Sequence, residues 1–455
     1  MRQKMRWAVT LGAIGGALLI TQSASAQNIS GSLRPELRPT GGEVTRAGSI
    51  PILVVPGLSV KRPKLRPTAV SEQAPSRVVP SAKEAGFQDW RGGMRARAQA
   101  QGIRADVFDS GFRGVRYDPD VIKRDRNQSE FTKTIWEYLD SAASNTRVEN
   151  GRAALRKHRR VLEAIEARYG VEKEVVVAVW GLESNYGTFR GQSDVIQSLA
   201  TLAYDGRRGA FFEEQLIAAL KILQSGDTSP RNMTGSWAGA MGHTQFIPTS
   251  YLDYAVDFTG DGRRDIWSDD PTDALASTAA YLAKFGWTKG QPWGVEVQLP
   301  RSFDYALANR TVTRTPTRWA RMGVVGMDGK AVPNHGQASI LLPAGSQGVA
   351  LMIFDNFGVI ERYNAADAYV IGVGHLSDHI AGGSEFKAGW PRGDRALTFS
   401  ERKEMQQRLS AAGFDTQGVD GRIGPKTLEA VRGFQRASGL VPDGYASLEL
   451  LKRLR

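Results

Sequence analysis

The sequence has no cysteine among its 455 residues. Disulfide bonds, thiolate metal sites and a cysteine nucleophile are therefore all excluded. A chain of this length can still form an exported fold, because two or three domains bury a large apolar core without disulfides. The apolar run at residues 7–20 is short for crossing a membrane, and no stop-transfer pattern follows it. A membrane anchor is therefore disfavoured.

The first 26 residues instead predict an export signal, residues 1–26. Arg2, Lys4 and Arg6 form a basic start, the apolar run follows, and small residues ending at Ala26 provide a cleavage site. No cysteine follows the apolar run, so lipid attachment at a bacterial lipobox is impossible. We expect a soluble, non-lipidated periplasmic protein, with no transmembrane segment after cleavage of the signal.

The charge of the chain is basic, with 59 Lys and Arg residues against 47 Asp and Glu residues. For an exported protein this favours a cell-wall polymer or a membrane surface as the partner, and no motif for nucleic-acid binding is present. Part of the excess lies in residues 27–82, where repeated Arg-Pro pairs predict a disordered linker. The linker is compatible both with an inert spacer and with adhesion to an anionic wall or membrane.

Residues 175–187, with the sequence VVVAVWGLESNYG, form the most informative stretch. Although valine favours strands, the spacing of Val171, Val175 and Leu182 predicts a buried helix that stops at Gly187. Glu183 would lie in the last turns of this helix. Burial disfavours the charged form of a carboxyl group and raises its pKa towards the range of a general acid at neutral pH. A helix-end glutamate that reaches solvent is the alternative.

Apolar periodicity elsewhere predicts a mainly α-helical body with a small β insertion. The body extends over residues 83–390, and a linker separates it from a C-terminal unit at 397–455, in which Asp-Gly turns precede short helices. Helices are predicted at 128–139, 161–169, 196–204, 211–224, 273–285 and 369–380, and strands at 295–299, 338–343 and 348–354.

A second polar stretch, residues 236–250, combines small residues with one amide side chain. The small residues allow a backbone or a ligand to approach closely. Gln245 offers both a donor and an acceptor, which suits an amide ligand such as an N-acetyl group. A tightly packed junction between a loop and a helix would explain the same pattern.

The stretch DFTGDG at residues 257–262 matches the start of an EF-hand calcium loop. Oxygen-bearing residues occupy positions 1, 3 and 5, and glycine occupies position 6. Position 12 is Ser268 instead of glutamate, and Asp273 lies beyond the usual end of such a loop. The pattern leaves open a calcium site and a metal-free loop that is tightened by Asx turns.

His375 and His379 are four residues apart, a spacing that occurs in zinc sites on helices. No glutamate follows His375 as in the metalloprotease motif, and a third ligand is not evident from the sequence. Two surface histidines are therefore predicted. Ser184 lacks histidine and aspartate partners at a known spacing, which disfavours catalysis by a serine nucleophile.

Four motifs occur in order along the body: WGLESNYG at 180–187, AGAMG at 238–242, DFTGDG at 257–262 and RYN at 362–364. Together they resemble the family 3 lytic murein transglycosylases, of the membrane-bound lytic transglycosylase B type, over about residues 85–390. Residues 397–455 resemble the small helical peptidoglycan-binding domain. The fold that both resemblances imply is a lysozyme-like helical catalytic domain with a small β insertion, followed by a three-helix peptidoglycan-binding domain.

The resemblance implies cleavage of the β-1,4 bond between N-acetylmuramic acid and N-acetylglucosamine without water and without a required cofactor. Glu183 matches the single catalytic carboxylate, which protonates the glycosidic oxygen. It then acts as base on the muramoyl C6 hydroxyl, which closes a 1,6-anhydro ring. The implied partners are peptidoglycan glycan strands, with peptidoglycan also bound by the C-terminal domain. By motif position, the implied sugar site consists of Ser236, Met241, Gln245, Tyr281, Tyr363 and Tyr369.

A structural calcium site also carries over from the resemblance. The chain departs from the family pattern there, because two extra residues precede Asp273 and Arg264 adds positive charge beside the loop. The implied ligands are Asp257, Thr259, Asp261, Arg263 through its backbone carbonyl, and Asp273.

Two other functions fit parts of the pattern. A goose-type-like muramidase would use water as the nucleophile and leave reducing ends. A non-catalytic wall-binding protein would keep the fold, but it would not require an acid such as Glu183 at the end of an apolar run.

Overall fold

The computed structural model describes residues 82–126 and 133–455. The predicted export signal and residues 27–81 of the predicted linker lie outside the described residues, as do residues 128–132 of the helix predicted at 128–139. The first described helix begins at Ala82, the last residue of that linker. Within the two described ranges, no helix is both long and apolar enough to cross a bilayer.

Helices dominate the fold, as the apolar periodicity predicted. The predicted helices at 161–169, 196–204, 211–224 and 273–285 are present, with their ends shifted by one or two residues. The helices before the C-terminal unit are α1 (Ala82–Ala100), α2 (Ala105–Gly111), α3 (Pro119–Arg126), α4 (Ile135–Ala142), α5 (Asn145–Lys157), α6 (Arg159–Tyr169), α7 (Lys173–Ser184), α8 (Val195–Asp205), α9 (Gly209–Ser225), α10 (Pro248–Tyr254), α11 (Thr272–Lys284), α12 (Pro316–Arg321), α13 (Asp355–Tyr363) and α14 (Asp367–Ile380).

Helix α7 lies at the centre of the main apolar core. Residues 175–182 are all buried, and the helix packs against α5, α6, α11 and α14. A helix that is apolar on every side is stable only when it is enclosed on every side, and this packing outweighs the strand preference of its valines. The helix ends at Ser184, where Asn185 adopts a left-handed conformation. The prediction that Gly187 stops the helix is therefore wrong.

The predicted β insertion is an antiparallel four-stranded sheet with the strand order β4-β3-β6-β5. In its central pair Val295 lies opposite Met352. A second apolar cluster, separate from the main core, includes the fully buried Trp319 and Met352. The strands are β3 (Gly294–Gln298), β4 (Val325–Gly326), β5 (Ser339–Leu341) and β6 (Ala350–Ile353), and a further short pair joins β1 (Ser193–Asp194) to β2 (Thr234–Gly235).

The C-terminal unit has its own apolar cluster, which includes the fully buried Met405 and Val431. Pro425 opens its second helix, where the missing N–H has no intrahelical partner to lose. The backbone N–H and Oγ of Ser346, beside the sheet, both donate to Asp443 Oδ2 at 2.8 Å. The predicted three helices are α15 (Phe399–Ala411), α16 (Pro425–Ala437) and α17 (Leu448–Leu454).

Candidate active site

Glu183 lies in the last turn of α7, and its side chain keeps only part of its surface exposed to solvent. Burial raises the pKa of its carboxyl group from 4.5 to about 8. The hydroxyl of Tyr369, on α14, donates to Glu183 Oε1 at 2.6 Å. This hydrogen bond lowers the pKa of Glu183, because it stabilises the carboxylate. The described part of the chain brings no second carboxylate against this group. A carboxyl in this state can both give and take a proton near neutral pH.

Three predicted sugar-site tyrosines form one aromatic cluster beside this carboxyl. The rings of Tyr363 and Tyr369 are parallel, with centroids 6.5 Å apart, and Tyr281 meets Tyr363 edge-on at 5.1 Å. The hydroxyl of Tyr363 donates to Thr244 O, and that of Tyr281 donates to Arg362 O, each at 2.6 Å. Tyr281 and Tyr369 are buried, whereas Tyr363 is partly exposed. Tyr369 therefore contacts the acid directly, and only Tyr363 leaves ring surface for a sugar.

Tyr138, on α4, belongs to the same site but carries no motif and escaped the sequence interpretation. Its hydroxyl is buried and makes no hydrogen bond with any residue of the described ranges. Burial, and then the nearby charge of Glu183, raise the pKa of this hydroxyl. An unpaired buried hydroxyl beside an acid is a ready donor for a bound substrate. Only its place on a helix that packs against α14 could have suggested this role.

The backbone directly after α7 turns through three consecutive left-handed residues, Asn185, Tyr186 and Gly187. The turn is held from outside: the hydroxyl of Ser184 donates to the carbonyl of His243 at 2.5 Å, and that of Tyr186 donates to Arg147 O at 2.7 Å. A Cβ atom at Gly187 would come within 2.6 Å of the His243 ring, so glycine is required there. His243 is thus a supporting residue that the sequence interpretation missed.

Ser236, Met241 and Gln245 lie together in the loop that the small residues predicted. Ser236 is buried, and its Oγ accepts from the backbone N–H groups of Ala238 and Ala240, which makes it a loop-forming residue. Met241 is fully buried. Gln245 has a left-handed backbone, and its Nε2 donates to Arg190 O at 3.0 Å and to Gly242 O at 2.8 Å. Because these carbonyls occupy the donors of Gln245, its side-chain oxygen is the atom left for a ligand.

The acidic loop from Asp257 to Asp273 is closed by its own hydrogen bonds. Asp257 accepts from the backbone N–H groups of Gly260 and Gly262 at 2.6 and 2.8 Å. The buried Asp273 accepts from the backbone N–H groups of residues 258, 259 and 265. Arg264 pairs with Asp227 at 2.7 Å, so its charge is neutralised away from these carboxylates.

The oxygen ligands of this loop suit calcium in kind, since Ca²⁺ prefers carboxylates, carbonyls and hydroxyls. The carboxylate oxygens, however, are too far apart to share one ion as they stand. Within the described ranges, one group of at least three His, Asp or Glu side chains has all its donor atoms within 4.8 Å of one another. That group lies elsewhere in the chain. Asp257, Asp261 and Asp273 would therefore have to move closer together to hold one ion.

That group consists of His375, His379 and Glu385. The prediction of two surface histidines is wrong, because His375 and His379 are only 4% and 7% exposed. Both rings point into the packed end of α14, and Glu385 reaches them from the segment that follows the helix. The spacing of four was visible in the sequence, but the turn that brings back a third ligand was not.

Comparison with known proteins separates the two parts of the chain. The family profile of the transglycosylase SLT domain matches residues 86–378, well over half of the chain. The chain belongs to this family. A second profile, for a peptidoglycan binding domain, matches residues 400–454 of the SLT-family chain. Both agree with the resemblances that the motifs had suggested.

One curated relative of this SLT-family chain is the membrane-bound lytic murein transglycosylase B of Escherichia coli K12. It is 33% identical over 242 residues, which cover 51% of this chain and 64% of that relative. The alignment thus spans less than two thirds of the length of the relative.

Solved structures match a larger share of the SLT-family chain than the curated relative does. SltB3 from Pseudomonas aeruginosa, in complex with NAG-anhNAM-pentapeptide, is 50% identical with a TM-score of 0.79, and the match covers 81% of this chain and 99% of SltB3. A complex of SltB3 with NAG-NAM-pentapeptide is 51% identical over the same shares. Slt35 from E. coli in complex with calcium is 28% identical with a TM-score of 0.56, and the match covers 66% of this chain and 93% of Slt35.

Proposed function

We propose that this protein is a peptidoglycan lytic transglycosylase. It cleaves the β-1,4 bond between N-acetylmuramic acid and N-acetylglucosamine and leaves a 1,6-anhydromuramoyl end. The observation that carries the proposal is the environment of Glu183, a single carboxyl whose pKa is raised to about 8 by burial and which meets no second carboxylate among the described residues. Glycosidases that use water, or a covalent intermediate, employ a pair of carboxyl groups.

In the first step Glu183 acts as the general acid. Its raised pKa keeps the carboxyl protonated at neutral pH, so it can give its proton to the glycosidic oxygen as the bond breaks. The hydroxyl of Tyr369, which donates to Oε1, holds the carboxyl in one orientation and stabilises the carboxylate that remains. The buried surroundings strengthen that hydrogen bond relative to water.

In the second step the same carboxylate acts as the base. It removes the proton from the C6 hydroxyl of the muramoyl residue, and that oxygen attacks the anomeric carbon to close the anhydro ring. The proton balance is complete, because Glu183 regains the proton that it gave away. The atoms of the substrate replace the water that a hydrolase would use, so the site needs to position no water molecule.

The substrate is held by polar and aromatic groups around the acid. The side-chain oxygen of Gln245 can accept from the N–H of an N-acetyl group, since the donors of this side chain are used by the loop. The partly exposed ring of Tyr363 offers a face to a sugar. Ser236 and Met241 contribute by shaping the loop that carries Gln245.

The C-terminal three-helix unit provides the second contact with the wall. Its match to a peptidoglycan binding domain supports a role in holding the enzyme on its polymer, which increases the local concentration of cleavable bonds. We place the reaction in the periplasm, after export without lipid attachment, because peptidoglycan lies outside the cytoplasm. Fractionation of cells, followed by mass spectrometry of the mature N-terminus, tests this assignment.

The family needs no cofactor, and a related E. coli structure contains calcium. In this chain the ion would stabilise the 257–273 loop and take no part in catalysis. The groups that would hold it are Asp257, Thr259, Asp261, the carbonyl of Arg263, and Asp273.

Digestion of purified peptidoglycan, followed by mass spectrometry of the released muropeptides, tests the proposed reaction. Anhydromuropeptides are the expected products. Reducing-end muropeptides would instead assign a goose-type-like muramidase, and wall binding without any product would assign a non-catalytic binding protein. Digestion by a commercial muramidase in parallel provides the reducing-end reference.

A further inference from the structure

We propose that His375, His379 and Glu385 form a binding site for a divalent late first-row transition-metal ion, for which Zn²⁺ is the reference ion. The site is independent of the reaction proposed above, because none of its three side chains contacts Glu183 or the tyrosine cluster in the described structure. Two imidazoles and one carboxylate are a donor set that zinc accepts in proteins.

The distances between the ligand atoms suit a single ion. His375 Nε2 lies 3.2 Å from Glu385 Oε2, and His379 Nε2 lies 3.8 Å from the same oxygen. The donor atoms of all three side chains lie within 4.8 Å of one another. Tetrahedral zinc with ligand bonds of about 2.0–2.1 Å separates its ligand atoms by roughly 3.3 Å. Small side-chain rotations would therefore complete the geometry without moving the backbone.

An unpaired polar atom points to a missing ligand at this position. His379 Nε2 is buried and makes no hydrogen bond with any residue that the structure describes. The side chain is only 9% exposed, so solvent does not compensate for the lost bond. Leaving such an atom unpaired is unfavourable, and a bound metal ion would satisfy it.

The three ligands are held in place from outside the cluster. His375 and His379 are on one face of α14, four residues apart, and the ring of Phe386 stacks on His375 at 4.1 Å with an angle of 6°. The segment carrying Glu385 is fixed as well, because Glu296 accepts from the backbone N–H groups of Lys387 and Ala388 at 2.8 and 2.6 Å. Such support from neighbouring groups reduces the cost of assembling a metal site.

A cleft of about 460 Å³, lined in part by His375 and Glu385, gives the ion access from solvent. Water in the cleft can complete the coordination, because three protein ligands leave one tetrahedral position open. The bound ion would tie the segment after α14 to that helix. We therefore expect metal binding to raise the melting temperature.

The test uses the full mature chain, purified without a histidine tag and stripped with a chelator. Titration with Zn²⁺ in a calorimeter is expected to give one site per chain, and Co²⁺ should produce the visible absorption of a tetrahedral complex. Glu385→Gln and His379→Gln are expected to weaken binding by more than about tenfold, since even the loss of an outer-shell partner has an effect of that size. The control is His335→Gln, at a partly exposed histidine outside the cluster, and it should bind as tightly as the wild type.

Glu385 is 71% exposed in its side chain, so Glu385→Gln tests the site even where a variant of a buried histidine does not fold. Zn²⁺ should raise the melting temperature of the wild type and of His335→Gln, but not that of Glu385→Gln. Absence of a stoichiometric site in the wild type, or equal binding by Glu385→Gln and the wild type, would overturn the proposal. Calcium is expected not to compete, because it prefers oxygen ligands.

Discussion

The carboxyl of Glu183 and the carboxylates of Asp257 and Asp273 are each at least partly buried, but their surroundings shift their pKa values differently. Burial raises the pKa of Glu183 to about 8, and the hydroxyl of Tyr369 opposes that shift. At Asp257 desolvation is outweighed by hydrogen bonds from the backbone N–H groups of Gly262 and Gly260, so its pKa falls. Burial raises the pKa of Asp273 too, although three backbone N–H groups oppose it.

Glu183 and Asp257 differ in the number of N–H and O–H donors that face the carboxyl. A carboxylate with several fixed donors stays charged and holds a loop together. A carboxyl that is buried with one donor is poised between its two protonation states, and this is the property that acid–base catalysis requires. We therefore propose a structural role for the acidic loop and a chemical role for Glu183.

The largest effect is expected from Glu183→Gln. The variant keeps the shape of the side chain but can neither give nor take a proton, so turnover of peptidoglycan should fall by roughly 10²- to 10⁴-fold. Binding to purified sacculi, measured by co-sedimentation, should be unchanged. Retained turnover would remove Glu183 from its proposed role.

The same variant should alter the pH dependence of stability. The folded-state pKa of Glu183 lies above its ordinary value of 4.5, so the favourable contribution of the neutral carboxyl is present below about pH 4.5 and lost as pH rises through about 8. Glutamine stays neutral, so the variant should gain stability relative to the wild type as pH increases. Each pKa unit corresponds to about 1.4 kcal/mol, and we expect roughly 2 kcal/mol in all, because the carboxyl is partly exposed.

Urea denaturation of both proteins at pH 4.5 and pH 9 measures this difference, since the two values bracket the shift from 4.5 to about 8. A difference in unfolding free energy that is constant with pH would contradict the raised pKa.

Asp273→Asn should destabilise the fold but leave the catalytic candidate Glu183 unchanged. The N–H donors of the new amide would face backbone N–H groups from which Asp273 now accepts hydrogen bonds. Each buried polar group that is left unpaired costs about 1–3 kcal/mol. Guanidinium denaturation should reveal the loss. The matched variant Asp257→Asn, on a partly exposed side chain, should lose less, and an equal loss would contradict the proposed difference between the two aspartates.

Tyr369→Phe removes a hydroxyl that stabilises the carboxylate of Glu183. The pKa of Glu183 should then rise further, by about one unit, and the alkaline limb of kcat/KM should move to higher pH. Initial rates on a soluble glycan fragment across the pH range measure this. A limb that stays in place, or moves to lower pH, would show that the Tyr369 hydroxyl does not tune the acid.

Calcium should have the smallest effect, because the loop is already closed by its own hydrogen bonds. Addition of calcium to the chelator-treated protein should raise the melting temperature slightly and leave kcat unchanged. Asp257→Asn should abolish the increase. A large loss of activity on chelation, restored by calcium and not by zinc, would contradict a purely structural ion.

Much of the fold was predictable because apolar periodicity reports directly on burial. Helix α7 is the clearest case, because a run of apolar residues on every side of a helix must be buried, whichever helices pack against it. The sheet was likewise visible in the alternation of residues 295–299. The end of α7 was not, because Asn185 takes the left-handed conformation that usually indicates glycine.

The candidate site was predictable only where a residue belonged to a motif. Glu183, Tyr363 and Tyr369 were predicted in this way, and the structure brings them together. Tyr138 reaches the site only through packing of its helix, which local sequence does not encode. Glu385 returns to the α14 histidines through a turn after the helix, so the exposed state predicted for His375 could not have been corrected from spacing alone.

The three left-handed residues that follow Glu183 also bear on when the enzyme becomes active. Two of them, Asn185 and Tyr186, hold a conformation that is unfavourable in an isolated chain, and contacts from distant residues such as Arg147 maintain it. This corner can therefore form only after the surrounding helices have packed. In an unfolded or partly folded chain, Glu183 would lack the surrounding turn that orients it. The ability to cleave the wall should therefore arise last in folding.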